Sequence, residues 1–263
     1  MTQTTNRLDQ LFERKQENIL SIYYTAGFPS LGDTVPIAEH IQEAGADIIE
    51  IGMPFSDPLA DGPTIQRSSL KALENGMTIK LLFEQISNIR KQVKIPIILM
   101  GYLNPAMQYG LERFCEDCQQ AGVDALILPD LPMQEYLDEY KQLFESYGLY
   151  NIFLISPQTS EERIRLIDEN SHGFIYMVSS ASITGARSGI SEEQIDYFKR
   201  IENMQLKHST LIGFGISNHE TYAKACTYSK GAIIGSAFIK VLEKSSDLKD
   251  DIRKYIDAVR GNE

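Results

Sequence analysis

The stretch Ile48-Ile-Glu-Ile-Gly-Met-Pro-Phe-Ser-Asp-Pro-Leu-Ala-Asp-Gly62 changes character halfway along. Its first half is a β-branched run of the kind that forms a strand buried on both faces. One carboxylate, Glu50, interrupts that run, and an ionised glutamate there is costly unless it is paired, hydrogen-bonded or needed for chemistry. The second half is a Pro/Gly/Asp-rich loop carrying Asp57 and Asp61. Pro54 and Pro58 stiffen it and Gly62 permits a tight turn. A buried parallel strand with acids at its end reads as one βα unit, with its active loop after the strand.

The same unit recurs outward from this stretch. Upstream, Ile19–Tyr24 reads as a strand and Thr25-Ala-Gly-Phe-Pro29 as its loop, followed by a helix from Asp33 to Ala44 that Gly45 stops. Downstream come helical segments at Pro63–Asn75 and Thr78–Val93, a strand at Pro96–Gly101 and a loop at Tyr102-Leu-Asn-Pro105. A helix from Leu111 to Ala121, a strand at Asp124–Leu128, the loop Pro129-Asp-Leu-Pro132 and a helix to Tyr147 continue the alternation, with Gly122 and Gly148 as stops. Further strands are predicted at Asn151–Ile155, Gly173–Val178, Thr210–Gly213 and Gly231–Gly235. Helices are predicted from Ser160, from Ser191 with a Ser191/Gln194 capping box, and over Leu248–Val259. An amphipathic segment from Thr4 to Lys15, with Leu8, Leu11 and Phe12 on one face, fits an extra helix plugging the base.

Eight short apolar strands alternating with helices predict parallel β/α units, for which a doubly wound sheet is the main alternative. Eight units in 263 residues favour closure into a (β/α)8 barrel, with extended loops after strands two and six. No linker or composition shift marks a second domain, so residues 1–263 are expected to form a single barrel domain.

A net charge of -11 argues against binding a phosphate backbone, which needs clustered Lys and Arg. The N-terminus lacks the basic-then-apolar order of a signal peptide. Apolar stretches such as Ile95–Gly101 fall far short of the roughly 20 residues of a membrane span. A cytoplasmic protein is expected. Cys115 and Cys118 have C-x-x-C spacing, but they lie in a helical pattern without a second pair and are expected to be reduced core residues.

On the face formed by the loops after the strands, four features converge. Glu50 and Asp61 are carboxylates at different depths, whose pKa values can be pushed apart. Gly213-Phe-Gly-Ile-Ser217 and Gly235-Ser-Ala237 follow strands seven and eight, where barrels commonly bind phosphate through bare N–H groups and a helix dipole. Thr184-Gly185 is placed to close over the same phosphate. Tyr23, Tyr102, Tyr176 and Phe214 line the site with rings suited to a planar apolar substrate. No predicted strand ends in lysine, which disfavours imine chemistry. Of the four histidines only His219 is placed on this side, which disfavours a metal.

The segment Ile49–Gln66 resembles the signature of the tryptophan synthase α chain family. Thr25-Ala-Gly27, Tyr102-Leu-Asn-Pro105, Asp130-Leu-Pro132, Thr184-Gly185, Gly213-Phe-Gly-Ile-Ser217 and Gly235-Ser-Ala237 extend the likeness along the chain. The resemblance implies a TIM barrel that cleaves indole-3-glycerol phosphate to indole and glyceraldehyde 3-phosphate. It also implies a partner β chain containing PLP, in an α2β2 complex that receives the indole, and no cofactor in this chain. By the same resemblance Glu50 matches a proton-shuttling glutamate and Asp61 an aspartate that stabilises the electron-poor ring. Tyr176 matches the tyrosine beside them. Gly185, Gly215, Gly235 and Ser236 match phosphate contacts, and Thr184 matches the loop threonine that orders the aspartate. Pro54, Asp57, Asn104, Pro105, Asp130 and Pro132 fall in segments that match partner contacts. Two residues depart from the pattern: Phe28 stands where many relatives carry an acid, and Ser182 replaces a usual glycine. The loop Ser180–Gly189 is expected to be disordered without ligand. A non-catalytic activator of the β chain and a sugar-phosphate isomerase are the readings weighed against the lyase.

Overall fold

The computed structural model describes residues 6–179 and 190–262. Nine strand segments form one sheet: β1 (Ile19–Thr25), β2 (Ile48–Gly52), β3 (Ile97–Met100), β4 (Ala125–Ile127), β5 (Tyr150–Asn151), β6 (Leu154–Ile155), β7 (Phe174–Val178), β8 (Ser209–Gly213) and β9 (Gly231–Ile234). Every pairing is parallel, in the order β5-β4-β3-β2-β1-β9-β8-β7-β6.

The two outer strands of that order, β5 and β6, are halves of one stretch of chain. Ile152 N–H donates to Leu126 O on the β4 side at 2.8 Å, and Phe153 O accepts from Tyr176 N–H on the β7 side at 2.9 Å. The stretch therefore bonds to both neighbours and closes the sheet into an eight-stranded (β/α)8 barrel with no free edge. The strand expected at Asn151–Ile155 is thus present but split in two, because one short segment serves two partners at different points along its length.

Helices follow the strands as the glycine stops and caps predict. Ser191 and Gln194 form the expected capping box on the helix Glu192–Asn203. Ser160, Thr78 and Asn218 each accept a backbone N–H in the first turn of the helix they precede. The helix Arg7–Arg14 lies across the N-terminal ends of the strands. Leu8 and Leu11 are buried, the Phe12 ring lies 6.0 Å from that of Phe174, and Arg7 reaches Asp124 just before β4. It is the expected plug.

Three local readings differ. A helix, Leu103–Tyr109, occupies what reads as a loop after β3. Pro105 is its third residue, and the first four N–H groups of a helix have no partner within it, so proline fits there. The helix expected to run to Tyr147 spans 133–146 and contains a π-helical turn at Tyr136–Tyr140. A 3-10 turn, Leu31–Asp33, precedes the helix Thr34–Glu43, which was expected to begin at Asp33.

Candidate active site

The C-terminal ends of β1 and β2 build the centre of the site. In their register Tyr23 lies opposite Glu50 and Thr25 opposite Gly52. Because alternate residues of a strand share a face, Ser21, Tyr23 and Thr25 point the same way. The Tyr23 ring passes over β2 so closely that a Cβ on Gly52 would sit 2.1 Å from its hydroxyl. Gly213 makes the same room for Tyr176, with 2.2 Å from an added Cβ to that hydroxyl. Glycine at these two strand ends is what lets the tyrosines lie inside the barrel mouth.

Glu50 is fully buried. Its Oε1 accepts a hydrogen bond from Ser21 Oγ at 2.7 Å, while Oε2 has no partner among the described residues. Burial pushes its pKa up to about 7, with the Ser21 hydrogen bond pulling the other way. No cation acts on it among the described residues. Asp61 is nearly buried and accepts from the Tyr102 hydroxyl at 3.1 Å. Burial raises it to about 6, again against its hydrogen bond. The loop after β2 is held by its own turns: Asp61 N–H donates to Pro58 O at 3.1 Å, and Gln66 Nε2 donates to Asp61 O at 2.8 Å. Tyr102 clamps it from outside, accepting from Ala60 N–H at 2.9 Å while it donates to Asp61.

A relay of hydroxyls stands behind Tyr23. Ser68 Oγ donates to Ile65 O at 2.8 Å, so it accepts from Thr25 Oγ1 at 2.7 Å, and Thr25 in turn accepts from Tyr23 at 3.4 Å. The Tyr23 proton is thereby directed away from the acids. Burial raises the Tyr176 hydroxyl well above its ordinary range, and Glu50, Asp61 and Tyr23 add to the effect, which places all four groups within electrostatic reach of one another. Phe214 meets the Tyr176 ring edge-on at 6.1 Å.

Phe214 and Gly215 both have positive φ, 66° and 80°. Ser179 Oγ donates to Phe214 O, and Gln194 Nε2 donates to Ser179 O at 3.1 Å. Gly235 precedes the helix Ser236–Lys244 and offers no side-chain cap, so the first-turn N–H groups are left for an outside acceptor. Gly235 lies under Tyr23, with 3.5 Å from an added Cβ to the ring. Glu50, Asp61, Tyr23, Tyr102, Tyr176, Phe214, Gly215, Gly235 and Ser236 are thus gathered at one end of the barrel. Thr184 and Gly185 lie outside the described residues, as does the expectation for Ser180–Gly189 and the Ser182 substitution.

The segments expected to meet a partner join into one rim. Phe55, beside Pro54, packs its ring 5.4 Å from that of Tyr102, and Asp130 accepts from Leu103 N–H at 3.0 Å. Asp57, Asn104, Asp130 and Pro132 are exposed on it. Cys115 and Cys118 are buried free thiols, with burial pushing Cys115 up to about 12, and no metal-holding cluster occurs among the described residues. His219 packs with its Nδ1 3.0 Å from Val259 O. Ser21, Thr25 and Ser68 were not singled out from sequence as site residues. The signal for Ser21 and Thr25 was their alternation with Tyr23 in a strand that is otherwise apolar or aromatic.

The fold and this end of it define a (β/α)8-barrel protein with two buried acids set among tyrosines at the strand ends. Comparison with known proteins narrows that class. The family model for the tryptophan synthase alpha chain matches residues 9–262, and the chain belongs to that family. It is 58% identical over 255 residues to the tryptophan synthase alpha chain of Flavobacterium johnsoniae, covering 97% of this chain and all of the relative. It is 50% identical to that of Bacteroides thetaiotaomicron over 97% of this chain and all of that one. The crystal structure of tryptophan synthase subunit alpha from Legionella pneumophila superposes with a TM-score of 0.88 at 32% identity, over 98% of both chains.

Proposed function

We propose that this chain cleaves indole-3-glycerol phosphate by a retro-aldol reaction, releasing indole and glyceraldehyde 3-phosphate. The observation that carries the reading is Glu50: a fully buried carboxyl with no cation beside it among the described residues, held near neutrality at about 7. Such a group holds a proton it can donate and leaves a base that can take one back, within the pH range where an enzyme works. Glu50 donates its proton to C3 of the indole ring, making the ring an electron sink. The glycerol hydroxyl then loses its proton to the Glu50 carboxylate, the carbon–carbon bond breaks, and the bonding pair returns to the ring. The net change moves one proton from hydroxyl to ring carbon.

Asp61, at about 6, is mostly ionised at neutral pH and stabilises the ring nitrogen as it becomes electron-poor. Tyr23, Tyr102, Tyr176 and Phe214 enclose the planar ring. The phosphate sits at the Gly215 turn and the N-terminus of Ser236–Lys244, where N–H groups and the helix dipole favour an anion. Thr184 and Gly185 complete this site on the resemblance alone. The rim carrying Pro54, Asp57, Asn104, Pro105, Asp130 and Pro132 docks a PLP-containing β chain in an α2β2 tetramer, to which the indole passes.

The test is indole release from indole-3-glycerol phosphate by the wild type and by Glu50→Gln, each with and without a β chain. Wild-type cleavage that rises with the partner and falls by about 10²–10⁴-fold in the variant is expected. A partner that binds and is activated while neither protein cleaves would overturn the lyase reading in favour of a non-catalytic activator.

A further inference from the structure

Glu50 has two oxygens, and the structure treats them differently. Oε1 faces the Ser21 hydroxyl at 2.7 Å, inside the barrel with both residues fully buried. Oε2, equally buried, faces no hydrogen-bonding group among the described residues. Resting on the proposed role of Glu50 as proton shuttle, we infer that Ser21 is a positioning residue that decides which carboxyl oxygen carries the transferable proton.

The argument is one of hydrogen-bond supply. A serine hydroxyl has one proton to give, and Glu50 Oε1 is the acceptor within its reach among the described residues. If the acid proton sat on Oε1 and pointed at Ser21, the serine proton would be left without an acceptor among the described residues, at the cost of an unsatisfied buried donor. With the serine donating into Oε1, the acid proton belongs on Oε2, the oxygen left free for the substrate. The same bond persists through the reaction. When the proton leaves Oε2 for the ring carbon, Ser21 already donates to the carboxylate that forms, and a hydrogen bond to the charged form lowers its energy. When the substrate hydroxyl gives up its proton, Oε2 is again the free site. Ser21 touches neither substrate nor reacting atom; it acts through Glu50.

The experiment is the pH dependence of indole-3-glycerol phosphate cleavage by the full chain, with Ser21→Ala, Ser21→Thr and Glu50→Gln compared with wild type. Ser21→Ala should lower kcat about tenfold with KM changed less than about twofold, and should move the alkaline limb of kcat/KM upward by about one pH unit, because the bond that favours the carboxylate is gone. Ser21→Thr keeps the hydroxyl and should keep the limb. A general packing defect would lower the rate without moving the limb. If Ser21→Ala does not fold, Ser21→Cys, with a weak donor in nearly the same volume, is read in its place. A wild-type rate and limb in the variants lacking the hydroxyl, alongside an inactive Glu50→Gln, would overturn the role of Ser21 and leave that of Glu50 standing. A fully active Glu50→Gln would overturn both.

Discussion

The two ends of the barrel bury the same chemical group to opposite ends. At the N-terminal end, Asp124 is almost fully buried and accepts from Arg7 Nη1 at 2.8 Å, from Arg90 and from Ile97 N–H at 2.8 Å. Asp47 accepts from Lys15 at 2.7 Å, from Arg260 at 2.7 Å and from Leu20 N–H at 2.9 Å. Asp168 accepts the N–H groups of Lys207 and His208 and lies 3.1 Å from His208 Nδ1. Each of these carboxylates ties the start of a strand to side chains or backbone from elsewhere. At the C-terminal end, Glu50 and Asp61 each receive one hydroxyl and no cation among the described residues. What a buried carboxylate does is therefore set by its donors. Several donors, charged side chains and backbone N–H groups together, make a structural tie, while a single hydroxyl in a buried pocket leaves a proton in play.

If the N-terminal end is structural in this sense, Asp124→Ala should have the largest effect on stability. It leaves the Arg90 guanidinium, only 10% exposed, without its counter-charge. A loss of about 3–5 kcal/mol is expected from breaking such a pair. Arg90 retains Gly122 O and Ile95 O, so the fold should survive the loss. Urea unfolding at pH 7 measures it, and catalytic rates on the remaining folded protein should be close to wild type. A stable Asp124→Ala with impaired catalysis would erase the contrast between the two ends.

Glu50 should act on stability with the opposite sign. Below about pH 4.5 it is protonated in both folded and unfolded chains and contributes nothing. As pH rises the unfolded chain ionises first, while the folded chain keeps its proton to about 7, so stability falls across that window. The full penalty above pH 7 is on the order of 3 kcal/mol. Glu50→Gln removes it, so the stability of the variant relative to wild type should improve between pH 4.5 and 7.5. Parallel stability-against-pH curves for the two proteins would show that burial does not hold the Glu50 proton.

Much of this arrangement is legible in the chain, and the reason differs from part to part. Glu50 stands out because a carboxylate inside Ile48-Ile-Glu-Ile conflicts with its surroundings, and such local conflicts mark functional sites. The strand count and the caps follow from periodicity and from residues such as Ser191 and Gln194, whose reach is local. Asp47 and Asp124 left a fainter trace: Gly45-Ala-Asp47 and Gly122-Val-Asp124 repeat one spacing, a helix stop and then an acid at the strand start. Their meaning was hidden because the partners Arg260 and Arg90 are 213 and 34 residues away. The helix Leu103–Tyr109 was obscured by Pro105, which signals a loop unless its place in the first turn is known. The split of the fifth strand depends on two neighbours at once, and no single segment encodes that.

Tyr102 probes the C-terminal end at a smaller scale. Tyr102→Phe removes the donor to Asp61 and leaves Ala60 N–H without its acceptor. Because that hydrogen bond favours ionised Asp61, its loss should raise Asp61 above about 6 and reduce the ionised fraction at neutral pH. Stability should fall by about 1–2 kcal/mol, and cleavage should fall most at the acid end of its profile. A uniform loss at every pH would mean that Tyr102 shapes the ring pocket and has no hold on the charge of Asp61.

Lys15→Ala should have the least effect, and its smallness is itself informative. Lys15 reaches Asp47 at 2.7 Å, but its side chain is 31% exposed. Asp47 keeps the more buried Arg260 and the N–H of Leu20 when the lysine is gone. An ion pair that open to water is expected to contribute less than about 1 kcal/mol and to weaken in salt. A melting point within about 4 °C of wild type is therefore expected. A loss comparable to that of Asp124→Ala would mean that the number of cations around Asp47 matters more than their burial. The N-terminal end would then work as a cooperative charge network, and the contrast with the C-terminal end would rest on total charge rather than on the donors each carboxylate is given.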